Sequence, residues 1–392
     1  MKTDFLKYQA QTTNTPLAIE ISHAKGSYVY DTNKKKYLDF IAGVSANTLG
    51  HSNPKIIKAI KEQADSYLHV MVYGEFIQKK PVALAKLLAN NLPKNLNQVY
   101  LVNSGTEATE GALKLAKRVT KRSEIIAAKF AYHGNTQGSM SVCGAEEQNR
   151  AFRPLLPNVR FIEFNNLNDL SKITTKTACV ILETIQGGAG FILPKKGYLK
   201  KVKERCEKVG ALLVLDEIQS GIGRTGKLFE FMHHDISPDI VITGKGLGGG
   251  LPIGAFITSD KKMALLKENP KLGHITTFGG NPLIAASALA TLQEVLNSNL
   301  MNQVLEKEKV FRKLLKHTAI LEIRGKGLML AIIVETPELA SKIILKCLDR
   351  GLLLFWLLFE GRAIRITPPL TISNTEIEQG CEIILTVLNE VI

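Results

Sequence analysis

Short apolar runs alternate with helix-periodic stretches along the middle of this chain. Gln98–Val102 reads as a strand and Thr106–Thr120 as a helix. Further strands recur near 124–129, 159–163, 178–184, 211–217, 239–243 and 253–258, with a clear helix at 197–209. Continuous apolar runs of strand length, set between helices, predict a mostly parallel sheet covered on both faces. The flanks read differently. Residues 26–40 have the pattern of a hairpin with a polar turn, and 53–69 and 79–91 have helical periodicity. Beyond about residue 281 come a long helix (Asn281 to Asn297), a helix near 301–316, strands at 320–324 and 328–335, a helix at 337–350, strands at 352–358 and 363–367, and a final helix at 374–390. The predicted fold class is α/β: a large domain over 45–290, and a small α+β domain from 1–44 and 291–392.

Composition narrows this little. The chain has 392 residues, 45% hydrophobic and 22% charged, an ordinary globular balance with room for two domains. Its longest apolar run, Leu352–Phe359, is far too short to span a bilayer. The first residues lack the apolar core of a signal peptide, so a cytoplasmic location without a membrane partner is expected. Five scattered cysteines with no C-x-x-C pair read as free structural thiols, and no metal site is expected. The net charge of +14 comes from dispersed lysines, and the longest basic run, Lys34–Lys36, sits in a turn-like stretch. That is a solvated loop, not a nucleic-acid site, although a basic surface suits anionic substrates.

Two strand ends carry the chemistry. Ala211–Leu215 leads into Asp216, and Ile240–Thr243 leads through Gly244 to Lys245. Ligands of open α/β sheets bind beyond the carboxyl ends of the strands, so Asp216 and Lys245 belong to one crevice. An amine there can form a Schiff base with a carbonyl, and a buried carboxylate can hold a protonated ring nitrogen; together they suggest pyridoxal phosphate. Ser104-Gly105-Thr106-Glu107 lies between a strand and a helix, where free backbone N–H groups suit a phosphate. It also fits an S-x-x-E capping box. Tyr132-His133 follows a strand and offers an aromatic face, or a core aromatic and a satisfied histidine. Arg365, flanked by isoleucines, needs an anion: a substrate carboxylate or a structural ion pair. Thr276 and Thr277 open the long helix and serve either as caps or as phosphate ligands. Gly221–Lys227 matches G-x-G-x-x-G and nearly a P-loop, but Leu228 has no hydroxyl for magnesium and no amphipathic helix opens there. Nucleotide binding is rejected for that loop.

The chain resembles the class-III pyridoxal-phosphate aminotransferases, close to the acetylornithine and ornithine group. The resemblance runs nearly full length, most specifically through Asn103–Ala108, Asp216–Gly226 and Thr277–Pro282. It implies fold type I and a homodimer with shared active sites. It implies Lys245 as the Schiff-base lysine, Asp216 on the pyridinium nitrogen, Gln219 on the phenolic oxygen and Tyr132, with His133 beside it, against the ring. Gly105 and Thr106 would hold the phosphate beside Ser104, joined by Thr277 of the other subunit. Glu183 matches the family's acid before Gln186-Gly187, and Arg365 the arginine that grips a substrate carboxylate.

Two positions depart from the ornithine pattern. Asn135 stands where an arginine usually helps bind a substrate carboxylate, and Gly188 where a glutamate usually masks the substrate arginine. Both count against ornithine or acetylornithine itself. The function implied is ping-pong transfer of an amino group from an ω-amine or diamino acid to a 2-oxo acid, 2-oxoglutarate foremost. Another class-III chemistry stays open: a diamine or β/γ-amino acid aminotransferase, an aminomutase, a phospholyase or a decarboxylase.

Overall fold

The computed structural model describes residues 1–392. Its centre is a seven-stranded sheet: β1 (Gln98–Val102), β2 (Glu124–Ala128), β3 (Val159–Ile162), β4 (Thr177–Glu183), β5 (Leu212–Asp216), β6 (Ile240–Gly244) and β7 (Gly254–Thr258). The spatial order is β1-β7-β6-β5-β4-β2-β3. The run from β6 to β3 is parallel, whereas β7 lies antiparallel to both neighbours. The short Lys245–Ile253 connection explains this reversal, because a parallel return needs a longer crossover.

Alternate residues of the central strands enter different cores, so both faces are covered. Leu213 and Leu215 join Leu84, Leu88, Val202 and Leu292 of helices Lys79–Asn90, Tyr198–Val209 and Pro282–Asn297. Leu212 and Val214 join Ala108, Ala112 and Leu115 of helix Gly105–Thr120. A third core holds Leu38 and Phe40 together with Val304, Phe311, Leu330, Ile343, Ile366 and Ile384. Residues near the N-terminus therefore pack with residues beyond 300.

Two four-stranded sheets frame this third core. One orders strands Ile21–Lys25, Tyr28–Asp31, Lys36–Asp39 and Leu352–Leu353; the other orders Glu322–Lys326, Met329–Ile333, Ala363–Ile366 and Phe355–Trp356. The 26–40 hairpin thus forms, with an additional strand before it. The strand predicted over 352–358 does not run through: it breaks at Leu354, and its halves pair with different sheets. All five cysteines are buried and unpaired. No helix is long and apolar enough to cross a membrane.

Candidate active site

The carboxyl ends of β4, β5 and β6 open into a cavity of about 430 Å3. Gly105, Thr106, Tyr132, His133, Asn135, Glu183, Asp216, Gln219, Lys245 and Arg365 all line it. Residues more than two hundred positions apart meet there because most sit at the end of a strand or in the segment behind it, with Arg365 added from within strand Ala363–Ile366.

Asp216 is buried and doubly held. His133 Nδ1 lies 2.7 Å from its Oδ2, and the Ile218 N–H donates to its Oδ1 at 2.9 Å. Lys245 follows β6 directly and adopts a φ of 38°. Val44, also on the lining, has a φ of 62°, which is rare for a β-branched residue. Backbone strain of this kind gathers at ligand sites. Burial pushes the Lys245 amine below the ordinary lysine value, with nearby Arg365 adding to this and Asp216 and Glu183 opposing it. A larger neutral fraction makes it a better nucleophile.

Glu183 has both oxygens committed to the backbone. Oε2 accepts the Tyr132 N–H at 3.0 Å and Oε1 the Gly187 N–H at 2.9 Å. It joins the turn after β2 to the turn after its own strand, and burial raises its carboxyl to about 7. Gln219 reaches Ser45 Oγ at 3.4 Å from Nε2, leaving its carbonyl oxygen near Gly187.

Arg365 is 5% exposed and pairs with no carboxylate. Its Nε and Nη1 have no partner, and its guanidinium carbon stands 5.8 Å from the centre of the Phe191 ring. Burial lowers it to about 10, so it stays charged at neutral pH. Of its two sequence readings, the structural ion pair has no carboxylate partner within this chain. A buried cation with spare N–H groups on a cavity wall is equipped for an incoming anion.

Two residues named from sequence lie outside the lining. Ser104 is the N-cap of helix Gly105–Thr120, its Oγ accepting the Glu107 N–H at 3.3 Å. The capping box closes one residue early, because the Glu107 carboxylate accepts the Asn103 N–H at 2.7 Å. Gly105 opens the helix against Ile218, whose Cδ1 would lie 2.8 Å from an added Cβ, so its free N–H end faces the cavity without a side chain. Thr277 is exposed elsewhere on the chain. The long helix behind it is capped by Asn281, whose Oδ1 accepts the Leu283 N–H at 2.9 Å, and not by the threonines.

Sequence reasoning missed the outer wall. Phe355 and Trp356 line the cavity from the strand paired with Arg365, Phe355 directly opposite that arginine, and Leu358 lines it from the bend that follows. Their signal was the apolar run Leu352–Phe359, read only as a strand too short to span a bilayer. Glu217 was also missed. Its buried carboxylate accepts the Thr184 and Ser220 hydroxyls and the Glu230 and Phe231 N–H groups, pinning the glycine-rich loop behind Asp216.

A sheet of this topology, with a lysine and an aspartate on neighbouring strand ends, defines a fold-type-I pyridoxal-phosphate enzyme. The family model for aminotransferase class-III matches residues 8–388. An acetylornithine aminotransferase of Caldanaerobacter subterraneus is 38% identical, with 98% of each chain covered. A LysW-aminoadipate semialdehyde/glutamate semialdehyde transaminase of Sulfurisphaera tokodaii is 36% identical over 92% of each. The crystal structure of ornithine aminotransferase from Toxoplasma gondii superposes with a TM-score of 0.92 at 30% identity, covering 100% of this chain and 96% of that one. The chain belongs to the class-III aminotransferases and is a pyridoxal-phosphate-dependent transaminase.

The residues present fit that cofactor. A buried amine, a buried carboxylate and a helix N-terminus with free N–H groups line one cavity, and the two unpartnered N–H groups of Arg365 belong to the same wall.

Proposed function

We propose that this enzyme moves an amino group from an ω-amine or diamino acid, of the ornithine or acetylornithine kind, to a 2-oxo acid, 2-oxoglutarate foremost, by ping-pong chemistry. The observation that carries this is the meeting of Lys245, Asp216 and an unpaired Arg365 in one buried cavity.

In this reading Lys245 Nζ would hold the cofactor covalently and Asp216 its ring nitrogen. Gln219 faces the phenolic oxygen, Tyr132 the ring and the Gly105 and Thr106 N–H groups the phosphate. His133 orients Asp216, and Ser104 keeps the helix end in place. When bound, pyridoxal phosphate supplies an electron sink for the pair left on the substrate carbon. The Lys245 amine would take the proton from that carbon and deliver it to the cofactor's C4′, a task its lowered basicity suits. The two free N–H groups of Arg365 grip the acceptor's carboxylate, and Asn135 offers the donor an uncharged contact. The division at 45 and 290, and a second copy supplying Thr277, are part of the same proposal. A diamine donor is the second reading, favoured because Lys245 and Arg365 are the only lysine and arginine on the lining, leaving one carboxylate grip.

Glutamate formed from 2-oxoglutarate and a panel of amines by the loaded enzyme tests the proposal. Transfer from an ω-amine, lost in Lys245→Ala, is the expected result. Absence of transfer from every amine to every oxo acid overturns it.

A further inference from the structure

A second cavity, of about 570 Å3, adjoins the first. Leu358 lines both. The next residue, Phe359, lines the second, while Gly188 lines the first. These two meet at the seam. The Phe359 N–H donates to Gly188 O at 2.9 Å, and a Cβ on Gly188 would come within 2.8 Å of the Phe359 ring. A bare glycine therefore lets the ring stand back against the partition. Any larger residue there would push Phe359 toward the second cavity.

The apolar run Leu352–Phe359 supplies the path between them. Leu352, Leu353, Leu354 and Leu357 are buried, but Phe355 and Leu358 remain 38% and 57% exposed beside the cleft. Apolar side chains held in water next to a binding site are favoured when a ligand covers them.

The second cavity offers no free cation. Lys129 Nζ pairs with Glu163 Oε1 at 2.5 Å, and Arg153 Nη2 with Glu146 Oε2 at 2.6 Å. The Asn149 amide nitrogen already donates to Cys143 O at 2.5 Å. With both cations paired and the Glu147 carboxylate on the lining in no ion pair, phosphate or carboxylate tails find no free cation here, whereas an uncharged chain meets Leu155, Leu156 and Phe161.

We propose that the second cavity is a subsite for the far end of the amino donor, so that the preferred donor is a primary amine with a long, uncharged, mostly apolar tail lying over Leu358. An N-acylated diamino acid whose acyl group is longer than acetyl has this chemistry. The inference rests on the transaminase reading above. The reaction balances without another reagent. The donor's C–N bond breaks and its carbon is oxidised to an aldehyde. The nitrogen and the same two electrons pass to C2 of the oxo acid, which is reduced to an amino acid.

The test is the loaded enzyme with 2-oxoglutarate and a series of Nα-acylornithines from acetyl to octanoyl. kcat/KM should rise about three- to fourfold for each buried methylene until the cavity is filled. Leu156→Trp, at the far wall, should leave acetylornithine turnover unchanged and remove the gain with length; Leu155→Trp serves if the first variant misfolds. A kcat/KM that stays flat or falls from acetyl to octanoyl overturns the subsite and leaves the transaminase reading intact. A length gain that survives both tryptophan variants also overturns it. Failure of every amine to react removes both.

Discussion

His133 Nδ1 and Asp216 Oδ2 lie 2.7 Å apart, both side chains buried. The imidazole turns the carboxylate so that its remaining capacity faces the cavity, and the Ile218 N–H fixes the other oxygen. His133→Phe keeps the ring volume but deletes the donor. A hydrogen bond to a charged group is worth about 1.5–3 kcal/mol, so pyridoxal phosphate should bind roughly 10- to 100-fold more weakly. Titration of the visible cofactor band measures this, and an unchanged affinity would show that His133 does not orient Asp216.

Arg365 separates stability from activity. Its unpartnered N–H groups mean that the fold bears a buried cation without compensation. Arg365→Met should leave the thermal midpoint unchanged or higher, while KM for 2-oxoglutarate rises roughly 10- to 100-fold. Thermal unfolding and steady-state kinetics on the same preparation decide. A marked loss of stability would mean that the arginine is structural after all.

Arg224 is the counterpart inside the glycine-rich loop. It is fully buried, donating from Nη1 to Leu328 O at 3.1 Å and to Pro368 O. The loop that mimics a nucleotide motif is thus a tie between the large sheet's strand ends and the segments near 328 and 368. Arg224→Ala should lower stability by about 3 kcal/mol or more, from two bared carbonyls and a cavity. In the unaltered protein neither ATP nor NADH should shift the melting temperature. A shift with either would restore the nucleotide reading.

Most elements were legible because apolar period and length agree with tertiary packing. Leu212–Leu215 and Ile240–Ile242 are apolar at every position, and the structure buries both faces of both strands. The failures share one cause: pairing partners cannot be read from a strand's own residues. Gly254–Thr258 looks like its parallel neighbours but is reversed by a short connection. Leu352–Phe359 looks like one strand, yet Gly351 O binds the Leu38 N–H at one end while Phe355 pairs with Arg365 at the other. Most cavity residues named from sequence follow the ends of central strands, where topology alone brings them together, while Arg365 comes from within strand Ala363–Ile366. Glu217 escaped notice because three of its four donors come from the turn after the neighbouring strand and from a loop thirteen residues on, a closure invisible beside the more suggestive Asp216.

Glu217 also makes the pH dependence of stability predictable. Burial raises its carboxyl from the ordinary range to about 7, and Glu183 shifts likewise to about 7. A folded-state pKa above the unfolded one means that the folded protein holds more protons between the two values. The associated stability is fully present below the ordinary carboxylate pKa, about 4.3, and is lost as pH rises through about 7. Thermal midpoints of the cofactor-free protein should therefore decline from pH 5 to pH 7. Glu217→Gln, which cannot ionise, should flatten part of that decline while leaving the share due to Glu183. Melting curves at pH 5, 6 and 7 give both slopes. Equal slopes in the two proteins would mean that the four hydrogen bonds hold Glu217 ionised throughout, and that burial does not govern its charge.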